Sequence, residues 1–384
     1  MFENIPKNWE KLEAEQYCFA VTDGTHDSPK PVEYNGIYLL TSKNITSGHL
    51  DYKNAYSISK EDFEKINKRS LVEKYDILFS MIGTVGESCI VDTDYINFAI
   101  KNVGLFKLNG NMIKAKWLNY FFKTANANLY IKQNLKGGNQ KYIALNILRK
   151  FPIPVPPTLE EQQEIVDVLD AASEIIRLRT ACIESAQSLI PALFQEMFGD
   201  PINNKKNLSK EKIGKILTLT SGKFIPSKEL DNNGQYPVYG GNGINGYHNE
   251  FLFEDSKICI GRVGVKCGCV HKTKPNSWIT DNALYINNYL IPINETYLKE
   301  ALTQINLNQY AKRAAQPVIS QTTIYNQYIL LPPIEQQELF AKKVQEIEAY
   351  IKTQQAELEN AKTMFQSLLH HSFTGELTRR AYGE

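Results

Sequence analysis

The sequence predicts a mixed α/β fold built twice over, two globular blocks each followed by a long coiled-coil helix. Three observations carry this reading. Charge alternates along the 384 residues, +4 over 1–157, −7 over 158–200, +6 over 201–333 and −2 over 334–384, closing at a net +1. Of 33 asparagines, 32 lie outside the two acidic segments, and no glycine falls between Gly138 and Gly199 or between Gly268 and Gly375. Both residues weaken helices, so their absence marks where long helices persist. Within the acidic segments the apolar residues step by four and three. The first row is Ile165, Leu169, Ala172, Ile176, Ile183, Ala186, Ile190, Leu193 and Met197, and the second is Phe340, Val344, Ile347, Ile351, Leu358, Ala361, Phe365 and Leu368. That 3.5-residue repeat is a coiled-coil seam. The rows match at an offset of 175, and both are interrupted at the same step, by Arg179 and Gln354. Each helix is expected to run ~50 Å at 1.5 Å per residue.

Taken in order, the first block (1–157) holds a strand near 75–81 and helix near 116–132. It closes on Phe151-Pro152-Ile153-Pro154-Val155-Pro156-Pro157, where prolines end a strand and fix an extended entry. Glu161-Gln162-Gln163 then opens the first helix segment (158–200), in which Pro191 predicts a kink or break near Ile190. Phe198-Gly199 supplies a left-handed cap. The second block (201–333) repeats the plan, with a strand near 257–260 and helix near 294–312. Leu330-Leu331-Pro332-Pro333 and Glu335-Gln336-Gln337 lead into the last segment (334–384), which ends at Phe373-Thr374-Gly375. Inside the blocks, Ile82-Gly83-Thr84-Val85-Gly86 echoes Ile260-Gly261-Arg262-Val263-Gly264. Lys101-Asn102 stands where Asp281-Asn282 falls, and Asn139-Gln140-Lys141-Tyr142-Ile143 answers Ala315-Gln316-Pro317-Val318-Ile319.

Hydrophobic residues at 42% and charged residues at 22% exclude a disordered chain. No window holds the ~18 uncharged apolar residues a membrane helix needs, and the N-terminus lacks the basic-then-apolar layout of a signal peptide. Six irregularly spaced cysteines point to reduced thiols, so a soluble cytoplasmic protein is expected.

The blocks carry the two kinds of side chain that DNA recognition requires, cations for phosphates and amides for base edges. In the first these are Lys43, Asn44, Lys101, Asn102, Lys136, Asn139, Gln140 and Lys141. In the second they are Lys223, Asn242, Arg262, Lys266, Asn282, Lys312, Arg313 and Gln316. Loops are polar in most proteins, and neither block reaches the pI above ~9 of a strongly basic DNA module, so composition alone leaves DNA binding open. Catalytic patterns are wanting: there is no G-x-x-x-x-G-K-[ST] phosphate loop, no proline-proline-aromatic element for amino-group methylation, and Asp255-Ser256-Lys257 has no acidic partner motif. Cys259, Cys267, Cys269 and His271 form the best metal candidate, with the last three on one face of a strand, but a structural strand with free thiols is the expected reading.

The chain resembles the DNA-specificity subunit of type I restriction-modification systems. The likeness rests on Ile5-Pro6-Lys7-Asn8-Trp9, Asp23-Gly24-Thr25-His26 and Leu40-Thr41-Ser42-Lys43-Asn44-Ile45 in the first half. In the second it rests on Tyr236-Pro237-Val238-Tyr239-Gly240-Gly241-Asn242-Gly243. The duplicated Pro-Pro…Glu-Gln-Gln helix entries and the helix exits Met197-Phe198-Gly199-Asp200-Pro201 and Phe373-Thr374-Gly375-Glu376-Leu377 complete it. Pro191 departs from strict equivalence, and Ser221-Gly222-Lys223 replaces the Thr25-His26 region. The resemblance implies two target recognition domains, each reading half of a split asymmetric site in double-stranded DNA. It implies that the two helices pack antiparallel as a spacer and dock two modification subunits that carry S-adenosylmethionine. It further implies restriction subunits using ATP and Mg, no cofactor on this chain and no membrane partner. Three competing readings are a stand-alone enzyme with unrecognised motifs, a non-DNA scaffold with two ligand-binding modules on a coiled-coil strut, and a specificity-like protein whose partner genes are lost.

Overall fold

The computed structural model describes residues 5–46, 48–312 and 317–377. The chain divides into two compact units, Met1–Leu178 with Leu358–Glu384, and Arg179–Glu357. In the first unit a four-stranded antiparallel sheet runs in the order Ala20–Asp23, Val103–Lys107, Ile77–Ser80, Ser88–Ile90. A three-stranded sheet places Tyr38–Leu40 between Tyr56–Ser57 and Phe98–Ile100, the latter pair parallel. Glu10–Glu13 pairs with Pro152–Val155, a two-stranded ribbon that tolerates the two prolines because an edge strand has donors to spare.

The second unit repeats these three sheets and lacks only a counterpart, among the described residues, to the short ribbon of Ile45–Thr46 with His49–Leu50. Its four-stranded sheet is Leu217–Ser221, Ala283–Tyr289, Ile258–Gly261, Val270–Lys272, and its three-stranded sheet places Tyr236–Gly240 between Gly243–His248 and a parallel Trp278–Ile279. Lys210–Lys212 pairs with Tyr328–Leu330. Helices Met112–Phe122 and Ala125–Asn134 in the first unit answer Glu295–Gln304 in the second. Gly24 and Gly222 are equivalent and obligatory. A Cβ on Gly24 would stand 2.2 Å from the Ile100 carbonyl oxygen, and one on Gly222 would stand 2.3 Å from those of Ile279 and Thr280.

The long helices are Leu159–Phe198 and Ile334–Thr374, 40 and 41 residues. At 1.5 Å per residue each spans ~60 Å, longer than expected. Of the kink or break expected near Ile190, a break does not occur: the helix continues through Pro191. The carbonyl left without a partner is that of Gln187, an exposed residue that water can serve. Both helices end before glycines in the left-handed region, Gly199 at φ 77° and Gly375 at φ 72°, as the sequence predicts.

Along the seam, Ile165, Leu169, Ile183, Phe340, Val344, Ile351 and Phe365 are buried, while Ile176, Ile190, Leu193, Ile347, Leu358 and Leu368 are half-buried. Over the last two turns the core moves one residue on, to Phe194 and Phe198 in one helix and Leu369 and Phe373 in the other. An α-helix turns every 3.6 residues and drifts off a strict 3.5 repeat, so its final turns present the next row to the adjoining sheet domain. Phe373 lies 4.6 Å from Trp117 between ring centroids, in the core of the first unit, and Phe198 lies 5.0 Å from Tyr297 in that of the second.

The entry motifs are also offset by one from the expected pairing. The buried glutamines are Gln162, which accepts from Tyr17 Oη at 3.1 Å, and Gln337, which accepts from the Asn294 amide at 3.0 Å. They stand 175 residues apart, so the helical register, and not the Glu-Gln-Gln spelling, defines equivalence. The two seam interruptions meet: Arg179 Nη1 donates to Gln354 Oε1 at 3.0 Å and pairs with Glu357. With Cys182 Sγ 3.1 Å from Tyr350 Oη, partner numbers fall as helix numbers rise, the signature of antiparallel packing.

Candidate nucleic-acid interface

Three loops of the first unit are tied together through backbone hydrogen bonds. Thr25 donates to the Ile100 carbonyl at 3.0 Å, and Asn102 to that of Thr25 at 3.1 Å. Gly83 donates to the Lys141 carbonyl at 3.0 Å, and Ile143 to that of Met81 at 3.0 Å. Asn102 takes φ 53°, a left-handed turn that asparagine tolerates. The result is a cleft of about 570 Å³ lined by Lys43, Lys101, Asn102, Gln140, Thr84 and Tyr56, among others. Residues spread over a hundred positions thus converge on one cleft.

Asn44 corrects that reading. It lines the same cleft but is only 2% exposed, with its Nδ2 donating to the Asp51 carbonyl at 2.8 Å and its Oδ1 accepting from the Thr41 amide at 2.8 Å. Its amide is occupied in shaping the loop and is not offered to a ligand. Lys101 Nζ meets Ser28 Oγ, and Lys43 is exposed. Lys136, Asn139 and Lys141 are exposed on the loop that closes with Tyr142; Lys141 Nζ donates to the Gly137 carbonyl at 2.9 Å. Burial raises the Tyr56 phenol above its ordinary value, and the residue lines the cleft.

Asp23, His26 and Arg69 escaped the sequence reading as site residues. Asp23 is 3% exposed and pairs with Arg69, while its Oδ2 lies 3.2 Å from His26 Nε2. His26 Nδ1 lies 2.8 Å from Asn102 Oδ1, which holds the Asn102 amide by its oxygen end. Asp23 and His26 were visible within a motif, but Arg69 comes from the helix Lys60–Ser70, 46 residues on, and no local pattern links them.

The second unit builds the same loop cluster with other side chains. Gly222 donates to the Ala283 carbonyl at 3.1 Å as Gly24 does to that of Val103 at 2.9 Å. Gly264 donates to Pro317 at 2.9 Å and Ile319 to Arg262 at 2.9 Å, matching Gly83 and Ile143, so Gly83 answers Gly264 and the sequence echo that set it against Gly261 is three residues out of register. Arg262 Nη1 donates to Ser221 Oγ at 3.4 Å, and its own amide donates to the Asn282 carbonyl at 3.0 Å. Lys223, Asn242, Lys266, Asn282 and Lys312 are exposed on these loops. Arg313 and Gln316 lie outside the described residues. Cys267 and Cys269 sit in the turn before Val270–Lys272 and not on the expected strand; Cys259 is paired across the sheet with His271. Asn308 Nδ2 donates to the Cys267 carbonyl at 2.7 Å. Burial, with Lys299 and Lys266 nearby, lowers the His271 pKa. Among the described residues no group of three or more His, Cys, Asp or Glu could hold a metal ion, and no helix is long and apolar enough to cross a membrane.

A duplicated α/β domain that gathers lysines, amides and hydroxyls at one loop cluster, with an antiparallel helix pair, defines a class. The type I restriction modification DNA specificity domain matches residues 6–186 and again residues 205–361, so the chain belongs to that family, whose role is specificity and not catalysis. Among relatives, the EcoprrI specificity subunit of Escherichia coli is 26% identical over 283 residues, 70% of this chain and 69% of its own. The putative MjaX specificity subunit of Methanocaldococcus jannaschii is 22% identical over 97% of this chain and 94% of its own. In fold, the chain is similar to the type I S subunit from M. genitalium, with a TM-score of 0.55 at 16% identity over 97% of each. It is equally similar to a chain from the complex-assembly study of a type I R-M system, with a TM-score of 0.56 at 15% identity over 96% of this chain and 98% of that one.

Proposed function

We propose that this chain selects the DNA sequence for a type I restriction-modification complex, each sheet domain reading one half of a bipartite, asymmetric target. The observation that carries the reading is the loop cluster made twice with one set of backbone hydrogen bonds and two sets of side chains. A common backbone supports a common mode of docking, and different side chains support two different half-sites. Charge agrees: the helix segments at −7 and −2 are repelled by phosphates, whereas the blocks at +4 and +6 are attracted.

The helices set the half-site spacing and dock two modification subunits. Exposed apolar positions repeat along them at the 175-residue offset, Ile175 with Tyr350 and Leu189 with Met364, which supports two like partners. S-adenosylmethionine is carried by those subunits for adenine N6 methylation, and ATP and Mg by restriction subunits, all acting in the cytoplasm where the DNA is. The test is co-expression with the modification subunit in a methylation-free host, followed by genome-wide mapping of N6-methyladenine. One bipartite motif that vanishes when this chain is omitted is the expected result. A stable complex without a motif overturns the reading in favour of a scaffold.

A further inference from the structure

Strand register aligns the two loop clusters residue by residue. Asp23 pairs with Gly104 as Ser221 pairs with Leu284, which makes Gly24, Thr25 and His26 equivalent to Gly222, Lys223 and Phe224. Ser80 pairs with Val103 as Gly261 pairs with Ala283, and Ile82 bridges Tyr142 as Val263 bridges Val318, which makes Thr84 equivalent to Val265. At these two positions the units differ in kind. The first presents His26, engaged with Asp23 and Asn102, and the hydroxyl of Thr84, which lines the cleft. The second presents two bare apolar side chains, Phe224 at 67% and Val265 at 84% exposure.

Neither is loose chain. Lys223 is pinned on both sides, its amide donating to the Ile279 carbonyl at 2.9 Å and its carbonyl accepting from Trp278 Nε1 at 2.8 Å. Val265 follows Gly264, whose amide is bonded to Pro317, and its own carbonyl accepts from Asn308 Nδ2 at 3.1 Å. Both side chains are held out into water on anchored loops of the cluster where the first unit presents polar groups. Lys223 and Lys266 are their sequence neighbours, and Arg262 bonds Ser221 on the loop that carries Phe224, so a polyanion with apolar groups inside fits these loops. In a duplex groove the thymine C5-methyl is the apolar group on a base edge, and aliphatic or aromatic side chains read it.

We propose that Phe224 and Val265 are specificity-determining residues that contact thymine methyl groups in the half-site bound by the second domain, while the first domain reads through hydrogen bonds. This rests on the function proposed above and adds its chemistry. The test uses the complex with its modification subunits and the bipartite duplex found by methylation mapping. Binding is measured over a salt series for the wild type, Phe224→Ala, Val265→Ala and the conservative Phe224→Leu and Val265→Ile. Each thymine of the second half-site is also replaced singly by deoxyuridine, which removes only the methyl.

Each alanine variant is expected to weaken specific binding about tenfold, the scale of one lost base contact. Non-specific affinity and the salt slope stay unchanged, because no phosphate contact is lost. At least one deoxyuridine weakens wild-type binding and adds nothing in the variant that lacks its partner, and the conservative variants keep most of the affinity. Equal losses on unrelated DNA, or a second half-site whose thymines are absent or indifferent to the methyl, overturn the proposal and leave the DNA-specificity reading standing. Absence of any bipartite target overturns that reading first, and the proposal falls with it.

Discussion

Replacing Phe373 with alanine tests whether the end of the last helix belongs to the core of the first sheet domain. The ring is 4% exposed and lies 4.6 Å from Trp117 and 5.4 Å from Phe121 between centroids. Removing about 150 Å² of buried aromatic area at ~25 cal/mol/Å² costs about 4 kcal/mol, within the ~3–5 kcal/mol range of such truncations. A unit of roughly 200 residues loses ~2–4 °C of Tm per kcal/mol, so its transition falls by ~8–16 °C. Calorimetry reads the shift, and hydrogen exchange locates it. Amides of Met112–Phe122 lose protection, while those of Ala283–Tyr289 in the other unit keep theirs. Phe198→Ala, which removes a ring packed on Tyr297 and Phe340, should give the mirror-image pattern. A shift below ~2 °C, or equal loss of protection in both units, refutes the argument, because the area term alone requires more.

Three further outcomes follow from particular residues. Lys43→Ala and Lys101→Ala, both in the cleft, should each weaken DNA binding across all sequences and reduce the salt slope by about 1, as measured by titration at several ionic strengths. Thiol titration of the native chain should find Cys182 and Cys269 reacting first, since Cys18, Cys89, Cys259 and Cys267 are buried; burial also pushes Cys18, Cys89 and Cys259 up to about 12 each. Asp76 is raised by burial, against the opposing pull of the Glu73 amide and Lys107. The folded state therefore binds this proton more readily than the unfolded one, so the Asp76 contribution to stability grows as pH falls from neutral through its raised pKa. Urea midpoints of the wild type and Asp76→Asn across that window should converge in slope only if another group is responsible.

The features legible in the sequence are those set by one helix or one turn. Two heptad rows, the capping Gly199 and Gly375, and the polar step at Arg179 and Gln354 follow from periodicity and backbone preference, which act locally. What was misread depends on where another segment lies. Phe194 and Phe198 look like bystanders to a seam through Leu193 and Met197, until the second sheet domain is placed against them. Asn44 has the composition of a DNA contact, yet a turn seven residues away takes its amide. Arg69 carries no motif and gains its place from Asp23, far back in the chain. A loop amide faces inward or outward according to which neighbours lack partners, and residue type alone does not encode that.

The composition of the first unit, residues Met1–Leu178 completed by Leu358–Glu384, has a consequence for synthesis. The ribosome delivers most of this domain before the intervening stretch and its remaining piece after it. At ~5–20 residues per second, the intervening stretch of about 180 residues takes roughly 10–35 s to emerge. Throughout that interval Trp117 and Phe121 await Phe373, and the nascent domain carries an open apolar face. The second domain, contiguous in sequence, has no such wait. A chaperone that visits this protein during translation should therefore dwell on the earlier-made half, and its release should coincide with the arrival of the helix Ile334–Thr374.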